Sequence, residues 1–152
     1  MDTTDIFNDL EMYGSSKNGT KVVMPKGKKE GSCWEFVEMA LIENNYKYHN
    51  EGGLGEDLYA WGSPIDISTI RTGDILQFTN HIFTLKDGRY FKRGPKHTAI
   101  VSTVNDSKAV VGIWEQHVTK PSKVVFNKVY LSPEGECTVV EGTVKAYRPI
   151  KK

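Results

Sequence analysis

The chain has 152 residues, with 20 basic against 19 acidic side chains and a formal charge of +1. That length suits one domain whose core needs no staples, and so even a balance excludes the electrostatic footprint of a nucleic-acid binder. Two cysteines, Cys33 and Cys137, are too few for a disulfide framework, and no apolar run reaches the length of a membrane span.

Residues 1–20 are polar, with one apolar cluster at Ile6, Phe7 and Leu10, and are expected as a loosely attached arm or a short helix. The opening MDTTDIFNDL carries acidic residues where a signal peptide needs a basic start and an apolar run. The expected location is therefore the cytoplasm, or outside the cell by a route other than Sec. Lys21, Lys26, Lys28 and Lys29 surround Pro25 and Gly27 in what reads as a solvated loop.

A helix is expected over 32–45. Ser32 followed three residues later by Glu35 is the capping-box pattern, and Gly31 ahead of it takes a sharp turn. Cys33 then occupies the first helical position, where free N–H groups and the positive end of the helix dipole favour a thiolate. Cys33, Phe36, Val37, Ala40 and Leu41 share one stripe at helical spacing, so the sulfur points toward the fold. A cysteine on such a stripe is otherwise a small core residue.

The segment 50–64 holds four glycines and a proline and reads as loops around a short turn at 57–61. Beyond it come short runs rich in aromatic and branched residues, expected as strands over 74–78, 81–85, 89–92, 97–104, 109–116, 123–131 and 143–148. Lys86-Asp87-Gly88 marks a hairpin turn between the second and third. One helix followed by short strands joined by hairpins describes an α+β domain with an antiparallel sheet or partly closed barrel. No internal repeat or domain boundary interrupts 1–152.

A partner for the sulfur comes from the strands. If Asn105-Asp106-Ser107 form a three-residue loop, Val104 pairs with Lys108 and His97 falls opposite Glu115. One residue more or less in the loop brings Gln116 opposite instead. In the first register His97, Glu115 and His117 share one face, with Trp114 and Gln116 on the other.

Cys33-Trp34-Glu35-Phe36-Val37, Gly73-Asp74-Ile75-Leu76, His97 ahead of Ala99-Ile100-Val101, and Glu115-Gln116 follow one another in an order that resembles the CHAP and NlpC/P60 families of papain-like cysteine hydrolases. The resemblance spans 28–118 and departs from the CHAP pattern at His117, where that pattern has Asn. It implies a papain-like core with a catalytic Cys33, His97 as its base and Glu115 holding the imidazole, acting on a peptide or peptidoglycan-like amide without metal or other cofactor. Trp34, Trp61 and His117 are the candidates for substrate contact. The same three residues suit a deamidase acting on protein glutamine, and a non-catalytic binding module on this fold is the third reading. His81 is a rival base expected on a hairpin exterior, His49 a bystander, Cys137 a spectator or the other half of a bridge to Cys33. Nothing in the sequence fixes an oligomeric state, and no nucleic acid or membrane is expected as a partner.

Overall fold

A computed structural model describes residues 8–25, 30–48 and 60–152. Among these, helix α1 (Asp9–Lys17) and helix α2 (Cys33–Glu43) precede six strands, β1 (Ser63–Ile65), β2 (Ile75–Leu85), β3 (Tyr90–Val104), β4 (Val110–Glu115), β5 (Val125–Tyr130) and β6 (Cys137–Arg148). The strands form one antiparallel sheet in the order β1-β6-β2-β3-β4-β5. His49 and most of the glycine-rich segment lie outside the described residues.

Helix α1 is not loosely attached. The Asn8 side chain accepts from the N–H groups of Leu10 and Glu11, and Asp9 and Glu11 occupy the first turn, where the helix dipole favours negative charge. Leu10 and Tyr13 are buried, and Gly14 lets the helix backbone close onto the Trp114 ring. The ring nitrogen of Trp114 donates to Glu11.

Helix α2 begins where the capping pattern places it, with Gly31 at φ 72 just before Ser32. The capping box is present. Glu35 accepts from the Ser32 N–H at 3.0 Å, and the Ser32 hydroxyl also donates to the same carboxylate at 2.7 Å. Gly31 and Met24 add their N–H groups, so one buried carboxylate gathers the chain on both sides of the helix start.

The strands expected over 74–78 and 81–85 are one strand, β2, and those over 89–92 and 97–104 are one strand, β3. Polar Asn80 and the pair Gly94-Pro95 read as interruptions, yet they face each other in a bulge: Thr79 pairs with Lys96 and His81 with Arg93. Pro95, which has no N–H to give, thus falls where the ladder asks for none. Asp74 of the Gly-Asp pair has a fold role. It is buried, accepts from the Arg71 N–H, and binds Arg148 of β6 at 3.0 and 3.1 Å.

The sheet separates two apolar clusters. On one face Phe36, Val37, Ala40 and Leu41 of α2 pack with Leu10 and Tyr13 against Ile75, Ile100, Trp114 and Tyr147. On the other, Leu76, Phe78, Ala99, Val101, Ile113, Val129 and Ala146 meet. Strands β2 and β5 stand three spacings apart, about 14 Å in a flat sheet, yet the rings of Phe83 and Tyr130 approach to 5.4 Å. The sheet therefore curls around this second cluster. No helix among the described residues is long and apolar enough to cross a membrane.

The β3–β4 register differs from the three-residue-loop expectation. Val104 pairs with Val111, three residues further on, because the Asn105 side chain accepts the Val110 N–H and Lys108 adopts φ 64 to lengthen the loop. A bulge between Val101 and Thr103 takes one residue back, and Ile100 pairs with Trp114. The net displacement is two, and an even displacement returns every side chain to its expected face. Trp114 and Gln116 turn toward α2, while Ile113 and Glu115 turn to the concave face.

Candidate active site

The mouth of the curled sheet meets the N-terminus of α2, and Cys33, His97 and Glu115 come together there. Glu115 is fully buried, and its Oε1 lies 2.8 Å from His97 Nε2. With Nε2 engaged, Nδ1 is the ring nitrogen left for Cys33, which hydrogen-bonds the imidazole. Cys33 is half-buried and unbridged. Burial works against its thiolate, but His97 and the backbone N–H groups of Thr98 and Trp34 outweigh it and hold the thiol below its ordinary pKa. His97 moves the other way. Burial disfavours its charge, yet Cys33 and Glu115 on its two sides raise it to about 9. Glu115 is lowered against a burial penalty, by His97 first and then by Arg93.

Two partners of Glu115 escaped the sequence reading. Arg93 donates in bidentate fashion, Nε to Oε1 at 2.9 Å and Nη2 to Oε2 at 2.7 Å, and Asn127 donates to Oε2 at 2.8 Å. Each left a faint trace: Arg93 precedes His97 by four residues, and Asn127 is the polar member of Val125-x-Asn127-x-Val129. Gln116 serves the other half of the site. Its amide accepts from the Val22 N–H at 2.6 Å and donates to the carbonyls of Val22 and Ser32 at 2.8 and 3.0 Å, fixing the residue ahead of Cys33.

Above the sulfur lies a cleft of about 420 Å³, bordered by Ser32, Cys33, Lys92, Arg93, Gly94, Lys96, His97, His117 and Val118. His117 is exposed on its lip at φ 75. Trp61 does not line it. It is fully buried in the helix-side cluster and donates to Gln77 at 2.9 Å, because the indole N–H finds a partner inside the fold. Trp34 is half-buried and packs against the same cluster, contributing its backbone N–H to the sulfur. Cys137 is buried on the concave face and unpaired, so no Cys33–Cys137 bridge exists.

His81 is not exposed and does not border the cleft above Cys33. It is buried between Phe78 and Phe83, and neither ring nitrogen completes a hydrogen bond, although the Tyr130 carbonyl comes near enough to favour the charged form weakly. Burial and the facing Arg93 push its pKa down to about 4, which keeps it neutral. Among the described residues no three His, Cys, Asp or Glu side chains converge as metal ligands.

The family model of the AIM3/BBC1 cysteine proteinase-fold domain matches residues 15–152. The chain belongs to this family. No curated protein matches it. The match takes in α2, the whole sheet and every residue of the site just described, so the AIM3/BBC1-family fold in this chain is a cysteine proteinase fold carrying a histidine in contact with a cysteine on one side and a carboxylate on the other.

Proposed function

We propose that this domain is a cysteine hydrolase that cleaves an amide through a thioester on Cys33. The supporting observation is the unbroken run of contacts from Cys33 through His97 to Glu115, opening on a cleft at the sulfur. In the resting pair the thiol proton sits on the imidazole. The thiolate attacks the amide carbonyl carbon, forming the C–S bond; as the C–N bond breaks, the imidazolium proton passes to the departing amine. Water then attacks the thioester, giving its proton back to the imidazole and releasing the acid and the thiolate. N–H groups of the first turn of α2 are the candidate donors to the oxyanion, a contribution of about 3 kcal/mol per donor. Glu115 fixes the imidazole tautomer and stabilises its charge. His117, standing where the CHAP pattern has Asn, takes no part in this relay. Glu115 holds the imidazole instead, itself held by Arg93 and Asn127.

The test is the rate of iodoacetamide alkylation against pH. Wild type is expected to react fast well below the ordinary cysteine pKa of about 8.5, Cys33→Ala to lose the fast phase, and His97→Ala to move the inflection back up. A thiol of ordinary reactivity, indifferent to His97, sinks the hydrolase and leaves a binding module. Muropeptide release and ammonia release from protein glutamine then separate a peptidoglycan amidase from a deamidase.

A further inference from the structure

One edge of β3 is left uncovered where the strand runs beyond β4. Strand β2 pairs with β3 along its length, but β4 covers the other edge only between Ile100 and Val104, and no strand among the described residues pairs with that edge over 90–93. Which backbone groups it presents follows from the alternation of an antiparallel ladder. The Leu85 N–H donates to the Arg89 carbonyl where the hairpin closes, so Phe91 and Arg93 bond β2, and Tyr90 and Lys92 turn their N–H and C=O groups outward. At the other end Val101 bonds Asp74, which turns Ile100 toward Trp114 of β4. Thr98, two residues short of Ile100 on that same edge, gives its N–H to the Cys33 sulfur. The edge that serves the sulfur is thus the edge left open beyond it.

The hollows of the surface follow this edge. Residues 89–93 all border a groove of about 790 Å³ at the mouth of the curled sheet, and all of 92–97 except Pro95 border the cleft at the sulfur. Successive side chains of a strand point to opposite faces, so a hollow that touches every residue in turn lies along the edge rather than on one face. Phe83 and Tyr130 floor the groove together with Phe91, which stacks on Phe83 at 5.0 Å. Phe91 is nonetheless 39 % exposed, and Val118, which borders both hollows, is 40 % exposed. Apolar surface is there for a guest side chain to cover.

We propose that the substrate is an extended polypeptide segment that adds as a strand to the open edge of β3, with an apolar side chain in the Phe83–Tyr130 groove and the amide to be cut at Cys33. Cleavage of that segment rests on the hydrolase reading; its docking rests on the edge and the groove. Main-chain bonds to Tyr90 and Lys92 supply affinity, and the groove supplies selectivity. An added strand keeps pace with β3 residue for residue, so a side chain opposite Phe91 stands about six residues from the amide opposite His97. A glutamine on a folded protein surface offers no such length of free chain.

Binding is measured on the Cys33→Ala protein with a fluorescent Ser/Thr-rich peptide that carries one Phe and is long enough to span groove and cleft. Two N-methylated forms, blocked at alternate residues in the two possible frames, test the backbone. The frame that loses its N–H groups toward β3 is expected to bind at least about tenfold more weakly, and the other to stay within about threefold of the parent. Replacing the Phe by Ser, or Val118→Asp in the protein, is expected to weaken binding by a similar factor. Lys92→Pro, which removes an N–H that β2 does not use, is expected to weaken it as well; the peptide pair carries the test if that variant does not fold. Equal losses in both frames, indifference to the Phe, or a protein that sediments as a dimer until Val118→Asp makes it a monomer overturns the proposal. Wild-type turnover of the same peptide separates docking from chemistry. Cuts mapped by mass spectrometry are expected about six residues from the Phe. Frame-selective binding with no cut and an ordinary thiol removes the hydrolase and leaves the docked strand; cleavage indifferent to both frames and to the Phe removes the docked strand and leaves the hydrolase.

Discussion

Glu115 has no exposed surface, and four donors from His97, Arg93 and Asn127 reach its two oxygens. Removing one partner of a buried pair strands the other charge, so Arg93→Ala is expected to lower unfolding free energy by about 3–5 kcal/mol, read by urea denaturation. The depressed Glu115 pKa gives the sign of the acid response. Its stabilisation is complete above the unfolded glutamate value of about 4.3 and is lost as pH falls through the lower folded value. The advantage of wild type over Glu115→Gln should therefore be large near neutrality and shrink in acid; an advantage constant with pH contradicts the charge argument. His81 offers the opposite experiment. Its two ring nitrogens are buried without partners, so His81→Leu, which fills similar space without polar atoms, is expected to raise stability by about 1–2 kcal/mol in the same denaturation. At this scale Cys33, His97 and Glu115 were legible because each has a local signature: a helix start, the head of an apolar strand, the end of the next. Arg93 and Asn127 were not, because a buried carboxylate takes its donors from strands whose pairing the sequence does not state.

Among the elements, α1 shows how packing overrides propensity. Alanine is the better helix former by about 1 kcal/mol, but a methyl on Gly14 would come within 2.5 Å of the Trp114 ring, which Phe126 and Glu11 also hold. Gly14→Ala is thus expected to destabilise, by about 1–3 kcal/mol, and a rise in the thermal midpoint would show that the ring gives way. Helix α2 was readable almost to the residue from Gly31, Ser32 and Glu35. The strands were found, but two pairs of them were cut at Asn80 and at Gly94-Pro95, residues that end a strand when judged alone and that here absorb each other's irregularity. The β3–β4 loop was too short by three residues, since nothing local announces that Asn105 will accept from Val110.

For the whole molecule, Cys33 and His97 ride on separate layers, α2 and the sheet, and the proposed chemistry depends on both protonation states at once. The thiolate–imidazolium pair exists between the lowered Cys33 value and the His97 value near 9, and the two limbs belong to the pair jointly. Amide turnover by wild type is expected to hold level through neutral pH and to fall near pH 9 as the imidazolium loses its proton; in Glu115→Gln that alkaline limb should move down. A wild-type limb at the unperturbed histidine value of about 6.5 contradicts the coupling. The layered α+β arrangement was legible from the order of elements. The curl that brings Phe83 to Tyr130 and opens the groove was not, since it accumulates over four strands and is encoded by no single segment.

Glu115 and Gln116 are joined by one peptide bond and point to opposite sides of the sheet, the first gripping His97 and the second the chain leading into Cys33. One rigid dipeptide is therefore the ruler for the spacing between sulfur and imidazole. A slip of β4 by a single position would exchange the two grips and dismantle both. Loop lengths near Asn105 are free to drift only in steps that the bulge at Ser102 can make even, so parity guards the distance between sulfur and imidazole even where the loop itself varies.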